Sequence, residues 1–124
     1  MTVLAVDTSG SIPDKIRQQL ATVIDSLRGF EQHFQVKAVS HIIEDVTIGE
    51  LVQILNRTGG GDDWPSLVKL MEDPATPMIC ITDDYSTIPP HNPANTFVID
   101  ISQGINIKRL YQLLVDFALY YSGE

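Results

Sequence analysis

The chain has little cysteine and few basic residues. Its one cysteine, Cys80, lies in the apolar run Met78-Ile79-Cys80-Ile81, which predicts a small core residue and excludes an intrachain disulfide framework. Eight Lys and Arg against sixteen Asp and Glu give a net charge of −8, and the bases are scattered. Because such a surface repels nucleic-acid backbones, we expect no nucleic-acid partner.

Long hydrophobic runs and a secretory signal are also missing. The first residues carry no basic segment and reach an acid at Asp7, and no apolar stretch is long enough to span a bilayer. We therefore expect a cytoplasmic protein without membrane contact. With 124 residues, 44% of them hydrophobic, the chain suits one domain over 1–124.

Strand-like and helix-like segments alternate along the chain, which predicts an α/β fold with a doubly wound, mainly parallel, Rossmann-like sheet flanked by helices. In the first helix Arg17 is assigned to the polar face and Gly29 to the C-cap, and Glu44-Asp45 is interpreted as a turn. The predicted strands are 2–6, 33–40, 42–48, 78–82 and 95–101, and the predicted helices are about 12–28, 49–55, 64–72 and 106–121.

The segment after the first strand carries the first candidate site. Val3-Leu4-Ala5-Val6 ends abruptly at Asp7, and Ser9 and Ser11 follow. One carboxylate and two hydroxyls within five residues are hard oxygen donors that suit Mg²⁺, Mn²⁺ or Ca²⁺. Alternatively, Thr8 and the two serines cap the helix that begins near Pro13.

Two further acidic loops lie near predicted sheet edges. Asp62-Asp63 follows a run of three glycines, and Asp83-Asp84 follows the strand 78–82. A doubly wound sheet brings both loops to the edge where Asp7 lies. Carboxylates packed together repel one another, and a divalent cation removes that cost. The three loops together predict a metal site.

These loops resemble the three motifs of the metal-ion-dependent adhesion site in von Willebrand factor A-type (VWA) domains. The first is Val6-Asp7-Thr8-Ser9-Gly10-Ser11, the second is Gly59-Gly60-Gly61-Asp62-Asp63-Trp64-Pro65, and the third is Ile79-Cys80-Ile81-Thr82-Asp83-Asp84. Their order and approximate spacing match over nearly the whole chain. The resemblance implies a VWA-type fold with a shell for Mg²⁺, or Mn²⁺ or Ca²⁺, in which serine hydroxyls ligate directly and some carboxylates act through water. The implied metal residues are Asp7, Ser9, Ser11, Asp62 and Asp83.

The chain departs from the VWA pattern at two positions. Asp62 stands where the family has a metal-contacting Thr, and Asp84 stands where it has Gly. With three ionised carboxylates beside a divalent cation, the formal charge of the site is −1. We expect such a site to hold its cation more tightly and to attract a partner's carboxylates less. If Asp62 instead caps the following helix, the metal is lost.

The resemblance implies a protein-interaction module without enzymatic activity. Compact relatives often accompany AAA-type ATPases, so the expected partner is such an ATPase or another assembly component. The alternative is a Mg²⁺-dependent nuclease or phosphohydrolase that uses the Asp cluster. The charge of −8 and the lack of a site Lys, Arg or His weigh against that alternative. A receiver-type phospho-acceptor is a further alternative, but this chain lacks the acid pair after the first strand and the late-strand Lys that such a domain needs.

Exposed aromatic residues suggest contact surfaces beside these loops. Tyr85 and the prolines at 89, 90 and 93 adjoin the third motif. The tail residues Phe117, Tyr120 and Tyr121 mix core and surface aromatics, which is compatible with an oligomer contact.

Overall fold

The computed structural model describes residues 2–8, 12–40, 42–57, 71, 76–89 and 94–122. Met71 is helical, and the rest of the helix predicted over 64–72 lies outside the described residues. The elements are β1 (Thr2–Asp7), α1 (Asp14–Ser26), a 3₁₀ helix (Arg28–His33), β2 (Phe34–Val39), β3 (Ile43–Asp45), α2 (Ile48–Leu55), β4 (Met78–Thr82), a 3₁₀ turn (Tyr85–Thr87), β5 (Thr96–Asp100) and α3 (Ile107–Ser122).

The described strands form one mixed sheet in the order β3-β2-β1-β4-β5. β1 pairs in parallel with β2 and with β4, and β4 pairs in parallel with β5. β3 is antiparallel to β2. The structure is therefore an α/β fold with a five-stranded sheet and flanking helices, and the predicted parallel character is confirmed for all strands except β3.

Both faces of the sheet are apolar, which explains why β1 reads as a continuous hydrophobic run. Leu4 and Val6 join a cluster that contains residues of α1, α2 and α3, including Leu20, Leu51 and Leu114. The opposite face is a smaller cluster, whose members are Val3, Ala5, Val39, Met71, Met78 and Cys80.

The end of α1 differs from the prediction. The C-cap is the buried Leu27, and the chain then continues directly into the 3₁₀ helix that contains Gly29. The backbone N–H of Leu27 bonds to the carbonyls of Ile24 and Asp25. Because the chain tightens into 3₁₀ geometry here, no left-handed residue is needed, and the predicted Gly29 cap is wrong.

The chain reversal before β3 also lies earlier than predicted. The backbone N–H of Ser40 donates to the carbonyl of Ile42, and Asp45 belongs to β3 itself. The Lys37 Nζ lies 2.6 Å from Asp45 Oδ1 across the two strands. The turn predicted at Glu44-Asp45 is therefore wrong, because both residues pair with β2 as part of β3.

Side-chain caps fix where α2 and α3 begin. Thr47 and Glu50 form a reciprocal capping box at α2, with N···O distances of 3.1 and 2.9 Å. Asn106 Oδ1 accepts from the Arg109 N–H at the start of α3. Gly104, with φ +107°, makes the turn from β5, a conformation that favours glycine. None of the described helices is long and apolar enough to cross a membrane.

The packing predicts a matched pair of stability effects. Ile24 is fully buried in α1 under the sheet, whereas Ile42 is 52% exposed. We expect Ile24→Ala to lower the free energy of unfolding by about 2–5 kcal/mol, because it leaves a cavity. Ile42→Ala should cost less than about 1 kcal/mol. Urea unfolding of both variants measures this, and equal losses would contradict the described core.

Candidate functional site

The carboxyl end of β1 holds a fully buried carboxylate. Asp7 is 0% exposed, although it is the last residue of the strand. Thr82, at the end of the neighbouring β4, donates its hydroxyl hydrogen to Asp7 Oδ2 at 3.0 Å. A buried carboxylate is costly unless hydrogen bonds, a cation or a metal compensate it. The bond from Thr82 fixes the orientation of this carboxylate between the two strands.

The loop after β4 is organised by the same threonine. Thr82 Oγ1 accepts from the Asp84 N–H at 3.2 Å. Asp84 Oδ1 in turn accepts from the backbone N–H and the hydroxyl of Ser86, at 3.0 and 2.6 Å. Asp84 has φ −140°, so the position that is Gly in the VWA motif needs no left-handed backbone here. Its carboxylate caps the 3₁₀ turn, which gives this departure a local structural reason.

The segment after β1 is tied to the sheet on its other side. The Thr8 hydroxyl and backbone N–H both donate to the carbonyl of Val39 on β2, at 3.0 and 2.9 Å. The N-cap of α1 is Pro13, which makes no side-chain cap. Thr8 therefore anchors the strand end to β2 and does not cap α1, which corrects that part of the capping alternative.

Two of the five predicted metal residues lie at the same edge of the described sheet. Asp7 ends β1, and the partly buried Asp83 directly follows β4, so both lie at the same edge of adjacent parallel strands. Ser9, Ser11 and Asp62 lie outside the described residues. Within the described ranges, no group of three or more His, Cys, Asp or Glu could hold a metal. The two placed residues are oxygen donors of the kind that Mg²⁺ and Ca²⁺ take.

Arg17 is a residue that the sequence analysis misassigned. It is only 4% exposed, and its Nη1 donates to the carbonyl of Arg57 while Nη2 lies 3.5 Å from the carbonyl of Ile12. Ile12 directly follows Ser11, and Arg57 precedes the glycine-rich segment. The guanidinium thus links the residue that follows the first predicted motif to a residue shortly before the second. Its spacing to Leu20, Ala21 and Ile24 is the helical signal that indicates the buried face.

Two further titratable groups in the sheet, the Cys80 thiol and the Asp100 carboxyl, have shifted pKa values. Burial raises the pKa of the Cys80 thiol to about 12, so it is not a ready nucleophile at neutral pH. At the end of β5, hydrogen bonds from the backbone and side chain of Ser102 lower the pKa of the Asp100 carboxyl. Asp100 is exposed, so it offers a control acid at the same sheet edge.

The Thr82 hydrogen bond predicts a stability effect with an internal control. Thr82→Val keeps the shape but removes the donor to a buried carboxylate, so we expect a loss of about 1–3 kcal/mol in unfolding free energy. Thr2 is equally buried, and its Oγ1 has no hydrogen-bond partner within the described residues. Thr2→Val should therefore be neutral or stabilising. Chemical denaturation at pH 7 tests both variants. An unchanged free energy of unfolding in Thr82→Val would refute the assigned hydrogen bond.

Comparison of the chain with protein-family models, with curated proteins and with solved structures finds no match. The functional assignment consequently depends on the residues and geometry at the ends of β1 and β4.

Proposed function

We propose that the chain is a VWA-like protein-interaction module that binds Mg²⁺, or alternatively Mn²⁺ or Ca²⁺, and docks a protein partner at the metal-site edge. The observation that carries this proposal is the fully buried Asp7 carboxylate at the end of the central strand, oriented by Thr82 with Asp83 directly beyond. In this proposal the complete shell adds Ser9, Ser11 and Asp62.

The strand order supports a ligand site at this position. The chain passes from β1 toward β2 on one side and from β4 toward β5 on the other. In doubly wound sheets the crevice between two such diverging strands is the usual binding site. Asp7 and Asp83 lie on the two sides of this crevice. We therefore extend the α/β assignment, as part of the proposal, to a doubly wound VWA-type arrangement.

Thr82 and Arg17 have different roles in such a site. Thr82 holds the Asp7 carboxylate in one orientation, and Arg17 holds the carbonyls at the ends of the first and second motif segments. A bound divalent cation would supply an electrophilic coordination position for an oxygen atom of the partner. With Asp62 in place of Thr, we expect the site to prefer neutral oxygen donors over a partner's carboxylate.

The partner in this proposal is another protein, of the class of AAA-type ATPases or other assembly components. The net charge of −8 opposes binding to nucleic-acid phosphates, and it favours a partner with a complementary basic surface.

Metal-dependent stabilisation tests the proposal. A cation present at about 100 times its Kd stabilises the folded state by about 2.7 kcal/mol, which raises Tm by several degrees. We expect this rise with Mg²⁺, Mn²⁺ or Ca²⁺ over EDTA in the wild type, and its loss in Asp7→Asn. If Asp7→Asn does not fold, Asp83→Asn replaces it. Asp100→Asn, an acid at the same sheet edge, should keep the full response.

No Tm rise with any of the three ions would overturn the metal site, and an equal loss in Asp100→Asn would show only diffuse attraction between ions and acids. The enzymatic alternative is measured on the same samples. If Mn²⁺-dependent hydrolysis of bis(p-nitrophenyl) phosphate disappeared in Asp7→Asn, the site would be catalytic and the interaction module would be wrong.

A further inference from the structure

The two edges of the described sheet differ in how they resist pairing with another strand. β3 has three residues, and two of them, Glu44 and Asp45, are exposed acids. Short, charged edge strands of this kind discourage further pairing. β5 has five residues and carries no charge before its last one, Asp100. Its Phe97 side chain is 44% exposed. Among the described residues, the β5 edge therefore lacks the short length and the charges that protect β3.

The backbone of β5 has one side available for hydrogen bonding. The carbonyl of Asn95 accepts from the Met78 N–H, and the N–H of Ile101 donates to the Thr82 carbonyl, both at 2.8 Å. Since strand residues alternate in direction, the backbone groups at 96, 98 and 100 face away from β4. No described strand lies on that side of β5.

An apolar groove continues from this edge onto α3. This open groove has a volume of about 1130 Å³ and lies between Phe97 and the outer side of α3. The Phe97 and Phe117 rings are in contact, with centroids 6.3 Å apart. Tyr120, which also lines the groove, is 78% exposed. Aromatic surface beside an unpaired strand edge is typical of a docking site.

Two of the three charged residues of α3, Lys108 and Asp116, are placed so that they can pair across a two-fold axis; the third, Arg109, also lines the groove. Lys108, Gln112 and Asp116 recur every four residues, so they form one line on the helix, and all three line the groove. Gln112 lies midway between the two charges. A two-fold axis at Gln112 would place Lys108 against the partner's Asp116, and the reverse contact would form by symmetry.

We propose that a second copy of this chain covers the surface made by β5 and α3. In this dimer β5 pairs antiparallel with the partner's β5, and α3 packs antiparallel against the partner's α3. Two chains of charge −8 repel each other in general. The paired Lys108 and Asp116 explain why a second copy approaches at this surface. The proposal goes beyond the metal site and uses none of its residues.

Charge-reversal variants test the predicted register. Sedimentation velocity of the full chain over about 1–300 µM should give twice 13.7 kDa for the wild type. Lys108→Glu and Asp116→Lys should each raise the dimer Kd by about tenfold or more, and the double variant should restore it. Lys108→Glu changes the net charge by −2, to −10, and Asp116→Lys changes it by +2, to −6. General repulsion would therefore strengthen the second dimer, whereas the proposed pairing weakens both.

A second comparison tests the strand edge. Phe97→Lys places a charge on β5 and should make the protein monomeric. Ile42→Lys changes a similarly exposed residue beside β3 and should leave the dimer intact. Circular dichroism establishes that each variant is folded, and if Phe97→Lys is not, the charge-reversal set decides alone. A monomeric wild type at all concentrations would overturn the proposal in favour of another occupant. If the wild type is a dimer and these substitutions do not change its Kd, the contact lies on another surface and the proposal is wrong.

Discussion

The burial of β1 on both faces is the constraint on which the rest of the structure depends. All six of its residues are buried, and the described strands are arranged outward from it. Hydrogen bonds to both neighbouring strands fix its carboxyl end. The Thr8 hydroxyl donates to the Val39 carbonyl on β2, and the Thr82 hydroxyl on β4 donates to the Asp7 carboxylate. The strand that centres the core is therefore also the strand that positions the candidate site, and a shift in its register would disturb both.

Apolar runs in the sequence were sufficient to find β1 and β4, because strands buried between two apolar layers need no alternation. β5 is also an apolar run, although it is only partly buried. The direction of β3 was not predictable, since it depends on the chain reversal at Ser40. Arg17 was misassigned because its charge placed it on the polar face, although its helical spacing indicates the buried face; its partner is a carbonyl 40 residues away. The placement of Asp7 and Asp83 at one edge of the sheet followed from the strand-end rule. The role of Thr82 did not, because a buried threonine in an apolar run gives no distinct signal.

Three of the acids at the carboxyl edge of the sheet have hydrogen-bond partners at different distances along the chain. Asp84 is engaged by Ser86, Asp100 by Ser102, and Asp7 by Thr82 on another strand. The first two bonds span two residues and shape the backbone locally, as Asp side chains commonly do after strands. The third joins residues 75 apart in sequence. A cluster of acids in a sequence therefore overstates the number of carboxylates available to a ligand. The sequence separation of each hydrogen bond distinguishes acids that shape a turn from acids that are site candidates.

The position of Cys80 in the middle of β4 has a consequence for redox chemistry. It lies opposite Ala5 of β1 and Val98 of β5 in the sheet register, and burial raises the pKa of its thiol to about 12. The thiolate is the species that reacts with disulfides and oxidants, and at pH 7 the buried thiol of the folded protein stays protonated. While the sheet is closed, this cysteine is therefore shielded from thiol-disulfide exchange. We expect alkylation of its sulfur to require opening of the centre of the sheet.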